Sequence, residues 1–219
     1  MNVKIEAKPA FAFLRVELAP GETIIAEADA MSTMSAELDM TAKFNGGLLN
    51  GLIKKFLGGE SLFVNHFTNN TSQTLSLTLV QATPGDMECK TLNGESYCLE
   101  RGAYVASDPG VKLGIRWAGL GSFIAREGLF KLIVSGTGNV YFGAYGGIIE
   151  KEVKGEYIVD SGHLVGYETT MKLQPKLSNG IIGSFTSGEG FVTKVTGNGK
   201  IYLQTRNLSS FTSWVNRYL

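Results

Sequence analysis

The chain has 219 residues, with 20 basic and 20 acidic side chains, two histidines, two cysteines and a pI near 6.7. A chain of this size buries a core without disulfide or metal staples, and its evenly spread, balanced charge gives no field to steer a polyanion, which disfavours nucleic acid. The start, Met1-Asn2-Val3-Lys4-Ile5-Glu6, lacks an apolar leader core, and no stretch reaches the ~18 uncharged apolar residues of a membrane helix, so a soluble, cytoplasmic protein is expected.

Alternation of apolar and polar residues predicts half-buried strands at Leu14–Leu18, Glu37–Met40, Thr74–Leu79 and Val111–Trp117. Pro20-Gly21, Pro84-Gly85 and Asn179-Gly180 read as turns between them. Between Gly47 and Gly58 the pattern changes: Leu48, Leu49, Leu52, Ile53, Phe56 and Leu57 follow a helical spacing, which predicts a short amphipathic helix or turn. Asn93-Gly94 predicts a two-residue hairpin that sets Cys89 across from Cys98, both expected as reduced thiols. Gly136-Thr137-Gly138 and Gly197-Asn198-Gly199 read as hairpin turns, since strand-type sequence follows each instead of a phosphate-binding helix. Ser209 or Ser210 is expected to cap a C-terminal helix whose Phe211, Trp214, Val215 and Tyr218 form one stripe against the core. The sum is an all-β sandwich or barrel-like fold with a short C-terminal helix.

Two strings recur in the same order. Gly21-Glu22-Thr23-Ile24-Ile25, Gly94-Glu95-Ser96-Tyr97-Cys98 and Gly155-Glu156-Tyr157-Ile158-Val159 each precede an F-x-x-x-E copy, at Phe56…Glu60, Phe123…Glu127 and Phe185…Glu189. This spacing predicts one domain of three tandem modules, approximately 1–83, 84–145 and 146–206, followed by the helix at 207–219. Phe56, Phe123 and Phe185 are expected in equivalent core pockets.

Several local strings carry a resemblance: Leu18-Ala19-Pro20-Gly21-Glu22, Gly58-Gly59-Glu60-Ser61-Leu62-Phe63-Val64-Asn65, Thr83-Pro84-Gly85-Asp86, Arg101-Gly102-Ala103-Tyr104-Val105-Ala106, Val159-Asp160-Ser161-Gly162-His163-Leu164-Val165 and Gln204-Thr205-Arg206. Together they resemble a bacterial family related to the mitochondrial "altered inheritance of mitochondria" (mitochondrial biogenesis) proteins, over about Phe13 to Arg206. The resemblance implies a fold similar to the tryptophan RNA-binding attenuation protein (TRAP-like), a β-sandwich module that joins edge to edge into rings. Asp29-Ala30-Met31 departs from the glycine such sequences carry there. Aspartate tolerates the left-handed region, so the turn is expected to survive.

The chemistry-bearing residues are sparse. Glu60, Glu127 and Glu189 hold equivalent repeat positions and suit turn-holding carboxylates better than a cation cluster. His66 and His163 stand in different repeats without the spacing of a metal site, so no metal or cofactor is expected and a cupin-like metal enzyme is disfavoured. Asp160 and His163 could form an orienting pair, but no Gly-x-Ser-x-Gly nucleophile accompanies them. The glycine-rich apolar loops before each F-x-x-x-E string bring forward Leu48, Leu49, Leu52, Ile53, Leu120, Ile181 and Ile182. They form either a shared apolar interaction surface or simple end-caps of the β core. The functional expectation is a non-enzymatic, oligomeric scaffold or binding module, with an RNA-binding ring as the alternative that fold analogy alone supplies. Open sheet edges predict a homo-oligomer, with a cyclic trimer as the most economical closure and a dimer next.

Overall fold

A computed structural model describes residues 1–44, 63–100, 102–117, 130–177 and 191–218. Among these the chain is all-β, with sixteen strands and one short helix. In order the strands are β1 (Asn2–Glu6), β2 (Phe13–Leu18), β3 (Thr23–Glu27), β4 (Met31–Met34), β5 (Asp39–Phe44), β6 (Phe63–Thr68), β7 (Leu75–Val80), β8 (Met87–Asn93), β9 (Tyr97–Leu99), β10 (Tyr104–Ser107), β11 (Val111–Trp117), β12 (Phe130–Gly143), β13 (Ile148–Asp160), β14 (Leu164–Glu168), β15 (Lys172–Leu177) and β16 (Phe191–Gln204). Helix α1 spans Leu208–Val215.

Period-two patterning places strands as expected at β2, β7 and β11. Leu14, Val16 and Leu18 face Leu79, Leu77 and Leu75 across the β2–β7 ladder, and all six are buried while the residues between them are not. The alternation read at Glu37–Met40 becomes β5 only from Asp39 onward, with buried Leu38 just before it. Asp29 keeps its turn at φ +69, as its tolerance of the left-handed region allows.

The strands form a four-stranded sheet, β1-β2-β7-β4, and a larger sheet that runs β13-β16-β14-β9-β12-β10-β3-β6-β5 with β8, β11 and β15 on its flanks. Two long strands organise the larger sheet, and here the structure corrects the hairpin reading. Gly136-Thr137-Gly138 lies inside β12 and Gly197-Asn198-Gly199 inside β16. The first half of β12 pairs β11 and β9, while its second half pairs β8 and β10. The bend between halves rests on Gly136 at φ +99, where a Cβ would fall 2.5 Å from the Gly110 carbonyl oxygen. β16 turns at Gly197, opposite Gly155 on β13, and serves β15 before the bend and β14 after it. Glycine pairs serve to re-aim a strand as readily as to reverse it, and only the partners decide which.

The same bend overturns the Cys89–Cys98 juxtaposition. β8 and β9 do not pair with each other; each takes a different half of β12, so Cys89 sits opposite Tyr141 and Cys98 opposite Ile133. Neither forms a disulfide. The C-terminal helix is corrected twice. Its cap is Asn207, whose side chain accepts from the amides of Ser209 (2.9 Å) and Ser210 (3.3 Å). None of its residues is buried, so the aromatic stripe does not pack into the core. The helical pattern between Gly47 and Gly58, and Phe56, Phe123 and Phe185, lie outside the described residues.

The core falls into three clusters of buried side chains. One gathers Leu14, Leu77, Leu79 and Phe67, a second Leu92, Tyr104, Phe142 and Tyr202, and a third Cys98, Val195 and Ile201. Tyr202 of β16 and Cys98 of β9 each cross into the cluster of a neighbouring segment, which ties the clusters together.

Candidate functional site

The seven apolar loop residues Leu48, Leu49, Leu52, Ile53, Leu120, Ile181 and Ile182 lie outside the described residues, as do Glu60, Glu127 and Glu189. The remaining sequence candidates are placed and are separate. His66 stands in β6 between Ile25 and Thr41, and burial, with Lys43 close by, holds its imidazole below the usual range. His163 donates from Nδ1 to the Gln204 carbonyl at 2.7 Å. Asp160 does not orient it: its carboxylate accepts the Gly162 amide at 2.9 Å and caps the 3-10 turn Ser161–His163. The suggested Asp160–His163 pair is therefore corrected to a local cap, because a short carboxylate reaches the backbone donor two residues on before it reaches a more distant side chain. Among the described residues no three His, Cys, Asp or Glu side chains gather as metal ligands.

The described charged groups serve the scaffold. Lys131 of β12 is buried and holds both oxygens of Glu100 at 2.5 and 2.6 Å. An open groove over the β13–β16 bend is lined by Glu152, Lys154, Glu168 and Lys200, and Glu168 is engaged by the Tyr97 hydroxyl at 3.1 Å and the Lys200 amide at 3.2 Å. Mixed charge already paired in this way leaves little to select a ligand.

What the geometry does expose is strand edge and aromatic surface. β4 is an end of the four-stranded sheet and β13 an end of the larger one. The outer β13 edge carries exposed Ile149, Tyr157 and Ile158, the last at 54 % exposure. Phe211 and Trp214 on α1, with Tyr218 just past its end, form an exposed ladder that begins at Tyr145, with successive ring centroids 6.0, 6.2 and 5.2 Å apart.

The family model described as mitochondrial biogenesis AIM24 matches residues 3–206. The chain belongs to that family. An uncharacterized protein of Streptococcus pyogenes serotype M6 is 26% identical over 228 residues, a match that covers 100% of this chain and 91% of the relative. A crystal structure of a Streptococcus pyogenes protein superposes with a TM-score of 0.81 at 26% identity, covering 100% of this chain and 99% of that one. The relative is itself uncharacterized. No helix among the described residues is long and apolar enough to cross a membrane.

Sequence reading missed the open edges as particular residues. Tyr157-Ile158-Val159 holds the place in its string that Thr23-Ile24-Ile25 and Ser96-Tyr97-Cys98 hold in theirs, and nothing in it marks an edge. Nothing in a strand's own pattern tells which of its two neighbours is present.

Proposed function

We propose that this AIM24-family chain is three tandem β-modules that join end to end with further copies into a closed ring, a non-enzymatic scaffold whose surface binds a partner. The modules would be TRAP-like in their edge-to-edge assembly, with boundaries near 1–83, 84–145 and 146–206.

The single observation that carries this reading is an unequal burial of matching strands. β10 of the second module pairs β3 of the first, with Ala106 opposite Ala26 and Ser107 opposite Ile25. β14 of the third pairs β9 of the second in the same manner, with Gly166 opposite Leu99 and Tyr167 opposite Cys98. Counting from the glycine of each Gly-Glu string, Ala26, Leu99 and Asp160 are equivalent. Counting from the register shift that β4, β10 and β14 all carry, Thr33, Ala106 and Gly166 are equivalent. In this pattern β4 and the Glu156–Asp160 half of β13 are the two strands that lack a partner from an adjoining module. Their exposure agrees: every residue of β10 is buried, and so is β14 up to Tyr167, but none of β4 is. Ile24 and Tyr97 are buried, while Ile158 at the matching position is exposed.

The pairing that satisfies both edges sets Thr33 of one copy opposite Asp160 of the next, and Met34 opposite Val159. Because donor edge and acceptor edge differ, the contact is heterologous and closes only as a ring; three copies give a nine-module ring in which neither the β4 nor the β13 edge is left bare. The two thiols, set apart on β8 and β9 against opposite halves of β12, suit a reducing cytoplasm.

Light scattering coupled to size exclusion tests the reading, with a trimer mass expected. The substitution Ile158→Lys sets a charge in the joint at a residue the isolated chain leaves exposed, so it is expected to yield a folded monomer. A parent protein that stays monomeric at tens of micromolar, or an Ile158→Lys variant that still forms trimers, would refute the joint.

A further inference from the structure

We infer that the aromatic face of α1 is the seat for the N-terminal connector of a second copy, with Phe11 as the residue inserted. The inference rests on the end-to-end assembly proposed above and adds a second, side-chain contact to its strand joint.

The argument starts from a row of backbone connectors. Ala12 N–H donates to the Gly85 carbonyl at 2.9 Å, Asp86 N–H to Gly146 at 2.7 Å, and Gly146 N–H to Pro84 at 3.1 Å, while Gly85 and Gly146 form a parallel bridge. Arg206 N–H then donates to Tyr145 at 3.2 Å, and Thr205 Oγ1 accepts from Gly147 at 2.8 Å. Segments 10–12, 84–86, 145–147 and 205–207 thus lie side by side in chain order. The row has two ends. At the first stands Phe11, 73 % exposed; from the last departs α1 with Phe211, Trp214 and Tyr218 at 45 %, 56 % and 74 %. These are the same two ends of the module array that bear the open β4 and β13 edges. An end-to-end joint that pairs those edges brings the first connector of one copy beside the last connector of another.

Two features say that α1 awaits a cover. Eight residues with no buried side chain are too few to hold a helix by propensity, since isolated helices below about 12 residues are marginal in water. Asn207 caps it and the aromatic ladder pre-orders it, so the face is formed at little further entropy cost. Between Phe211 and Trp214 the face carries no charge, since Thr212 and Ser213 fill those positions; the one cation of this stretch, Arg217, is exposed and lies beside Tyr218 at the far end. Insertion of a phenyl ring between Phe211 and Trp214 desolvates no ion.

The test uses the intact protein and reads mass and Trp214 fluorescence together across a dilution series, with Trp214→Phe as the blank that removes the signal of Trp117. Trp214 emission is expected to move to shorter wavelength as the mass rises. Phe11→Ser is expected to weaken assembly by about tenfold in dissociation constant, to keep the melting temperature of the diluted monomer, and to leave Trp214 emission long-wavelength. A trimer whose Trp214 emission does not shift, or a Phe11→Ser variant that assembles as tightly as the parent, overturns the inference and leaves the ring standing. A monomer at every concentration overturns both. Phosphatidylcholine–phosphatidylglycerol vesicles form the last arm: a Trp214 shift with vesicles but not with assembly assigns the face to lipid and overturns the second-copy contact.

Discussion

Glu27 shows how one placement sets a pH response. It ends β3, and burial, with the like charge of Asp29 adding to it, pushes its carboxyl up to about 7 from an ordinary 4.5. The folded chain therefore binds more protons than the unfolded chain between those values. Stability is expected to fall as pH rises from about 4.5 to 7 and to level off above. Glu27→Gln removes the group that titrates, so urea midpoints measured through this window should lose that fall; a variant with the parent's full slope would place it elsewhere. Phe142 shows the apolar counterpart. Its ring is buried with its edge on Tyr202 at 5.0 Å, so Phe142→Ala should lower unfolding free energy by roughly 3 to 5 kcal/mol in denaturant melts. Neither role was legible in the sequence. Glu27 reads as a polar strand residue, and Phe142 as one aromatic among twelve phenylalanines, until the neighbours are known.

At the scale of elements, the bent strands carry the most consequence. A residue other than glycine at position 136 needs φ +99 and room that the Gly110 carbonyl occupies. Gly136→Ala is expected to cost of order 1 to 3 kcal/mol, seen as a lower thermal midpoint, with β8 and β11 loosened together in hydrogen exchange. If only one of them loses protection, β12 does not act as a single bent strand. Strand positions at β2, β7 and β11 were legible because a half-buried strand writes its two faces into alternate residues. Strand continuity was not. Glycine, small and without a face of its own, looks the same in a reversal and in a bend, and this is why the turn reading failed at Gly136-Thr137-Gly138 and Gly197-Asn198-Gly199.

For the molecule as a whole, the open ends decide the expectation. Edge strands left bare invite addition of another chain, and β4 and β13 differ enough in sequence that each suits the other better than itself. The trimer mass and its loss with Ile158→Lys test the strand joint, whereas Phe11→Ser tests the aromatic one. Their separate readouts matter because backbone pairing can persist where a side-chain anchor is lost. Salt should change assembly little, since the Ile158 edge and the α1 face are mainly apolar; a steep salt dependence would point to Glu156 and its partner Lys194 as the organising contact.

The sequence by itself determined the all-β class, the family, the places of the half-buried strands and the left-handed turn at Asp29, because each is written in local residue preference and in short strings that carry the family resemblance. Only the tertiary structure decided that β12 and β16 bend and continue, that Cys89 and Cys98 face different strands, that Asn207 caps the last helix and that its aromatic face stays in solvent. Those outcomes depend on which segment lies alongside. A neighbour brought close by the fold adds nothing to the pattern of the residues it meets.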